Sequence, residues 1–263
     1  WFADRSEHPT PLAIYIHGGG FKSGSKDKLK PGDLSGFLDA GISVASINYR
    51  LLPESPLPTP HLDATRALQF IRSRADEWKL DKNRVGVFGS SAGAQISMFL
   101  AYNDDMANSD SEDPVEREST RVTCVATSGG QTMSSFFWKD FMPAYLAEPF
   151  KQLAAAEEAK QTDPLANWNA QTLEEGKATA RNYSAIDLIS SGDPPIFMNY
   201  FMPPNGKIPD SQAKVRGWLI HHSFFGVALK KKADSLNVEN HLFYPGAECK
   251  YSSAVEFLKD KLL

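Results

Sequence analysis

Cysteine is scarce in this chain: two residues, Cys124 and Cys249, among 263. Two thiols build no metal cluster and leave the redox compartment open. Cys124 lies in an apolar strand pattern over 122–126 and reads as a buried thiol. Long apolar runs are also missing. No stretch approaches the ~18 residues of a membrane span, which excludes a spanning segment. Positive charge is not in excess. The 28 Lys and Arg against 32 Asp and Glu leave a formal charge of −4, and the pI is near 5.9. That balance argues against a nucleic-acid partner. There are no internal repeats, no initiator Met and no signal peptide. The start at Trp1 reads as that of a processed or truncated product, soluble and compatible with export after removal of a signal. What the chain does have is 41% hydrophobic residues, enough for one large α/β domain or a domain with an insertion.

Two motifs carry chemistry. Gly89-Ser90-Ser91-Ala92-Gly93 lies between a short apolar strand pattern (85–88) and an apolar helical run (95–102). Ser91 is therefore expected at the tip of a sharp strand-to-helix turn. The outer glycines fit, because side chains there would collide in such a turn. The pentapeptide alone arises by chance in roughly one chain in ten of this size, so its context decides. Upstream, the continuous apolar run Leu12-Ala13-Ile14-Tyr15-Ile16 suits a strand buried on both faces. It ends in His17-Gly18-Gly19-Gly20-Phe21. Three glycines after a strand leave backbone N–H groups free to converge on one spot. Acyl transfer needs such donors where negative charge develops on oxygen, and losing one costs about 2.7–4 kcal/mol.

Strand and helix patterns alternate along the chain, which implies a mostly parallel sheet covered by helices on both faces. Strands are expected over 12–16, 42–47, 85–88, 122–126, 196–201 and 241–244. Helices are expected over 61–80, 95–102, 224–236 and 252–262. In the first helix Leu62, Ala64, Ala67, Leu68, Phe70, Ile71 and Trp78 are expected to line one broad face. The acid-rich stretch 103–118 reads as a solvated loop rather than a metal site. Residues 131–186 break the alternation. Their aromatics (Phe136, Phe137, Trp138, Phe141, Tyr145, Phe150, Trp168) and a helix-forming run over Lys151 to Gln161 suggest a helical cap inserted into a single domain, 1–263. Most of these rings are expected to pack the cap onto the sheet.

From Leu12 to about Thr127 the chain resembles the esterase/lipase branch of the α/β-hydrolases, near its hormone-sensitive-lipase-like and carbohydrate-esterase-like members. The resemblance is carried by both motifs, by Asn48-Tyr49-Arg50-Leu51 with Pro53-Glu54, and by Asp63 and Asp81 with Arg84-Val85. It returns weakly at Asp193-Pro194-Pro195 and Tyr244-Pro245-Gly246. It implies an α/β-hydrolase fold, with Trp1-Phe2-Ala3-Asp4 as the tail of an abbreviated N-terminal hairpin whose first strand is absent. It further implies Ser91 as nucleophile, the Gly19, Gly20 and Ala92 amides as oxyanion donors, and His17 as a support of its loop.

The family's other catalytic positions are not matched. Where the acid is expected the chain reads Phe201-Met202-Pro203-Pro204-Asn205-Gly206. Where the histidine is expected it reads Ala247-Glu248-Cys249-Lys250-Tyr251. A serine is a weak nucleophile until a base takes its proton. His221 and His222, in the long excursion between the last two strands, are the substitute bases to consider. Asp210 and Glu248 are the substitute acids. His61 reads as a helix-terminus residue, His241 as packing or facing solvent, and His8 as part of a frayed segment; Cys249 has no adjacent base. The leading expectation is a serine carboxylic-ester hydrolase acting on a small-molecule or carbohydrate ester, with a short-chain, acetyl or feruloyl-type acyl group. It requires no metal or organic cofactor. The alternative is a hydrolase-fold protein that binds esters or carboxylates without turnover; a peptidase of the same fold ranks third.

Overall fold

In the computed structural model, residues 1–4, 8–152 and 164–263 are described. The helix expected over Lys151 to Gln161 falls outside them from residue 153 onward. Six strands form one sheet: β1 (Thr10–Ile16), β2 (Ser43–Ile47), β3 (Leu80–Ser90), β4 (Cys124–Ser128), β5 (Ile196–Asn199) and β6 (Asn240–Phe243). Their spatial order is β2-β1-β3-β4-β5-β6, and every neighbouring pair is parallel. The helices are α1 (Pro31–Leu38), α2 (Thr59–Ser73), α3 (Ala75–Trp78), α4 (Ala92–Tyr102), α5 (Trp138–Phe141) and α6 (Pro164–Asn167). They continue as α7 (Leu173–Arg181), α8 (Ala185–Leu188), α9 (Gln212–Ile220), α10 (Phe224–Ser235) and α11 (Ala254–Leu262).

Parallel strands buried on both faces need two cores, and alternation along β1 supplies them. Leu12, Ile14 and Ile16 join Leu68 of α2, Ile96 of α4 and Leu229 of α10 on one face. Ala13 and Tyr15 join Phe37 of α1 with Phe257 and Leu258 of α11 on the other. Each fully buried Leu, Ile or Phe contributes about 1.5–3 kcal/mol. The chain leaves β1 for β2 on one side and returns to β3 on the other. Strand order thus reverses between β1 and β3, where open α/β sheets form a crevice at the carboxyl ends of their strands. Ile16 pairs with Gly89 there, so the glycine loop and the Ser91 turn emerge side by side.

Several boundaries differ from the sequence reading. The helix expected over 61–80 ends at Ser73, and a single turn, α3, follows. Lys79 then takes a left-handed conformation (φ 52°) and the chain enters β3 at Leu80, which pairs with Thr10. The buried face of α2 carries His61, Ala64, Thr65, Leu68 and Arg72, while Leu62 and Phe70 point outward. Arg72 is accommodated inside because its guanidinium donates to the carbonyls of Lys82, Ser119 and Arg121. Helix α9 lies in the excursion that had no expected element. Among the described residues no strand precedes Thr10; Trp1 exchanges two 2.9 Å backbone hydrogen bonds with Val44 along the free edge of β2.

In the segment 131–186, Phe137, Leu146 and Phe150 are buried. Trp138 packs edge-on against Phe150 and Phe225, and Phe150 against Phe224, so these rings join the segment to α10. Phe141 and Tyr145 are exposed.

Candidate active site

Ser91 sits between β3 and α4 with φ 51° and ψ −119°, a strained conformation for a residue with a side chain. The turn is tight because α4 starts hard against the end of β1. A Cβ on Gly93 would stand 2.1 Å from the Ile16 carbonyl oxygen and 2.5 Å from that of His17. Only glycine fits, and its absence of a side chain sets how closely helix and loop approach. The Ser91 amide donates to the Ser128 carbonyl at 3.0 Å, which fastens the turn to β4.

The glycine loop is held from below. His17 is buried, its Nδ1 lies 2.8 Å from the Gly18 carbonyl, and its ring stacks on Tyr49 with centroids 4.1 Å apart. The Tyr49 hydroxyl donates to the His17 carbonyl at 2.8 Å. Gly19 takes φ 124°, a region closed to other residue types, and its carbonyl accepts from the Lys22 and Ser23 amides. Gly19 and Gly20 are exposed. Among the described residues, the N–H groups of Gly19, Gly20 and Ala92 make no hydrogen bond.

His221 reaches this place from a helix far along the chain. It caps the C-terminus of α9, and its Nε2 is 3.0 Å from Ser91 Oγ. Its Nδ1 is 2.9 Å from the Gly217 carbonyl, four residues back on the same helix. A carbonyl only accepts, so Nδ1 carries the proton and Nε2 presents its lone pair to the serine. Burial holds the imidazole below its ordinary pKa. The Gly217 carbonyl opposes this shift and the Arg216 charge adds to it. The imidazole is therefore neutral at neutral pH.

The structure does not bring the other expected groups to Ser91. His222 is fully buried and turns away: its Nδ1 accepts the Phe224 amide at 3.1 Å and its Nε2 meets the Tyr145 hydroxyl at 3.2 Å. Burial lowers its pKa to about 4. Tyr145 donates in turn to the Pro204 carbonyl, so His222 links the 131–186 segment to the loop after β5. Asp210 is 87% exposed and pairs with Lys207 at 3.1 Å; Glu248 is also exposed. Among the described residues no carboxylate is hydrogen-bonded to His221.

His61 lies in the first turn of α2, as expected of a helix-terminus residue. It is buried against Phe21, Phe99 and Tyr183, and among the described residues neither ring nitrogen has a hydrogen-bond partner. The Pro58 carbonyl lies near the ring without reaching hydrogen-bond geometry, and burial dominates, lowering the pKa to about 3. Two residues escaped the sequence reading altogether, Gln95 and Gln131. Their side chains join α4 to the turn beside His221, with Gln95 Nε2 donating to Gln131 Oε1 at 2.9 Å. A glutamine four residues past Ser91 on the same helix was the available signal.

A parallel sheet with this strand order, and a serine on the turn after β3 beside a glycine loop, define an α/β-hydrolase fold of the esterase/lipase type. The BD-FAE family model matches residues 1–200, and the chain belongs to that family. Carboxylesterase NlhH of Mycobacterium tuberculosis is 37% identical over 91 residues, 35% of this chain and 28% of its own length. Ethyl acetate hydrolase of Pseudomonas putida is 34% identical over 88 residues, 34% of this chain and again 28% of its own length. The chain thus matches less than a third of each of these two relatives. Among solved structures, an acetyl ester-xyloside bifunctional hydrolase from Caldicellulosiruptor lactoaceticus superposes with a TM-score of 0.65 at 22% identity. The superposition covers 92% of this chain and 75% of that one.

Proposed function

We propose that this protein is a serine carboxylic-ester hydrolase working through an acyl-enzyme on Ser91. One observation carries the reading: His221 Nε2 lies 3.0 Å from the Ser91 hydroxyl, with its other nitrogen fixed by a main-chain carbonyl. In the first step Ser91 Oγ attacks the ester carbonyl carbon while its proton passes to Nε2. The carbonyl oxygen becomes an oxyanion and accepts from the unpaired amides of Gly19, Gly20 and Ala92. His221 then gives its proton to the departing alkoxide, leaving the acyl group on Ser91. Water attacks that acyl group with His221 again as base, and the free acid leaves.

A carboxylate normally orients the histidine and stabilises its charged form. Here the carbonyl end of α9 takes both duties. The Gly217 carbonyl fixes the reactive tautomer, and the negative end of the helix dipole favours imidazolium by about 0.3–2 kcal/mol. Among the described residues, the missing carboxylate is the one observation favouring a second reading, a protein that binds esters and turns them over feebly or not at all.

The acyl group is proposed to be short, acetyl above all, on a small or sugar-linked alcohol. The names of the Pseudomonas and Caldicellulosiruptor proteins support that substrate class. So do the exposed rings of Tyr145 and Phe201 on segments flanking the base. The 131–186 segment is proposed as a cap, since Tyr145 reaches His222 and the Pro204 carbonyl. The test is hydrolysis of p-nitrophenyl acetate, butyrate and octanoate and of acetylated xylo-oligosaccharides. Acetyl esters should turn over fastest, and Ser91→Ala should remove at least ~10³-fold of the rate. Absent turnover, or turnover that survives Ser91→Ala, would reject the reading.

A further inference from the structure

We propose that Gln131 is a positioning residue that holds His221 over Ser91. The inference rests on the Ser91–His221 pair acting as nucleophile and base. The base stands on a helix far along the chain from the elbow, so something must fix the distance between them. Gln131, 5% exposed and three residues past the end of β4, stands between the two. Its Oε1 accepts from Gln95 Nε2 at 2.9 Å. Gln95 is on the first turn of α4, and its amide donates to the Ser91 carbonyl at 3.1 Å. On the other side, Gln131 Nε2 donates to the carbonyl of Ile220, the residue before His221, and lies 3.5 Å from the Gly129 carbonyl. Gly129 in turn backs the imidazole.

The result is a continuous path from Ser91 through Gln95 and Gln131 to Ile220 and His221. A primary amide suits its centre because it can accept from one neighbour and donate to the other, which an ionised carboxylate or an apolar side chain cannot do. A triad carboxylate would hold the imidazole directly; here an amide holds the helix end on which it stands. Misplacing a reacting group by about 1 Å can lower a rate ~10²-fold.

The experiment measures kcat and KM for p-nitrophenyl acetate in Gln131→Met and Gln95→Met, each alone and in a His221→Ala background. Gln131→Met should lower kcat about 10- to 100-fold with KM within about threefold, and Gln95→Met should give a smaller drop with the same split. In the His221→Ala background either change should alter the residual rate less than about twofold, because nothing remains to position. A full drop in that background would make Gln131 merely structural and overturn the proposal. So would an unchanged kcat in Gln131→Met. Should Gln131→Met fail to fold, Gln95→Met decides alone, since it releases the path while leaving the Ile220 carbonyl paired. Turnover surviving His221→Ala at the parent rate would instead show that the underlying dyad is wrong, a separate result.

Discussion

The two halves of the site are built in different ways. The serine half, from β1 through α4, is fixed chiefly by backbone against backbone, with Gly93 against Ile16 and the Ser91 amide on Ser128, while the buried His17 and Tyr49 side chains support the glycine loop. The base half hangs on side chains from three separate stretches: His221 on α9, Gln131 after β4 and Gln95 on α4. Main-chain contact tolerates almost no change of residue type, whereas side-chain bridging tolerates relocation. In this chain the proposed nucleophile, Ser91, stands where the family pattern puts it, and its hydrogen-bonding histidine stands elsewhere.

The largest expected contrast is catalytic. His221→Ala should lower kcat/KM by ~10³-fold or more, while Asp210→Asn should leave it within about twofold. An equal loss in Asp210→Asn would restore an acid to the base half. Next in size is the structural contrast. A methyl on Gly93 meets two backbone oxygens, so Gly93→Ala should destabilise the fold by more than about 3 kcal/mol in urea unfolding. Gly217→Ala meets open space and should instead stabilise by about 0.5–1 kcal/mol. Similar effects at both positions would erase the distinction between the halves.

A third contrast concerns pH. The His221 pKa is lowered from 6.5 by burial, so kcat/KM should fall on acidification only below pH 6.5. A buried carboxylate partner would push that limb the other way. An acid limb centred above 6.5 would contradict a base held by a carbonyl.

A last effect lies outside the Ser91–His221 pair. His61 and His222 have folded pKa values near 3 and 4, below the 6.5 of an unfolded chain. Below pH 6.5 the unfolded state therefore binds more protons, and stability falls as pH falls, by up to ~1.4 kcal/mol per unit for each group. His61→Phe should remove one of these protons and flatten the loss between pH 6.5 and 4.5 in thermal melts. An unchanged slope would mean that His61 is already protonated or solvated when folded.

Legibility followed the same division. Ser91 on its turn, the glycine loop and the alternating sheet could be read locally, because tight turns and doubly buried strands demand particular residues at adjacent positions. The position of His221 could be narrowed only to a pair of neighbours. Which of the two points at Ser91 depends on α9, a helix that the sequence pattern does not predict. It is short and carries Gly217 mid-helix, which weakens its local signal. Val215, Trp218 and Leu219 keep a helical spacing that was available to find it. On α2, Ala64, Leu68 and Ile71 are buried as their spacing predicts, but Arg72 and His61 join them through partners and packing from distant segments, which periodicity does not carry.

The most direct measurement is the rate of fluorophosphonate labelling, with the modified residue located by mass spectrometry, in the native protein and in His221→Ala. A serine activated by the end of α9 gives a single adduct on Ser91, formed at least ~10²-fold faster in the native protein than in the variant. Equal rates in the two proteins, or an adduct elsewhere, would contradict it.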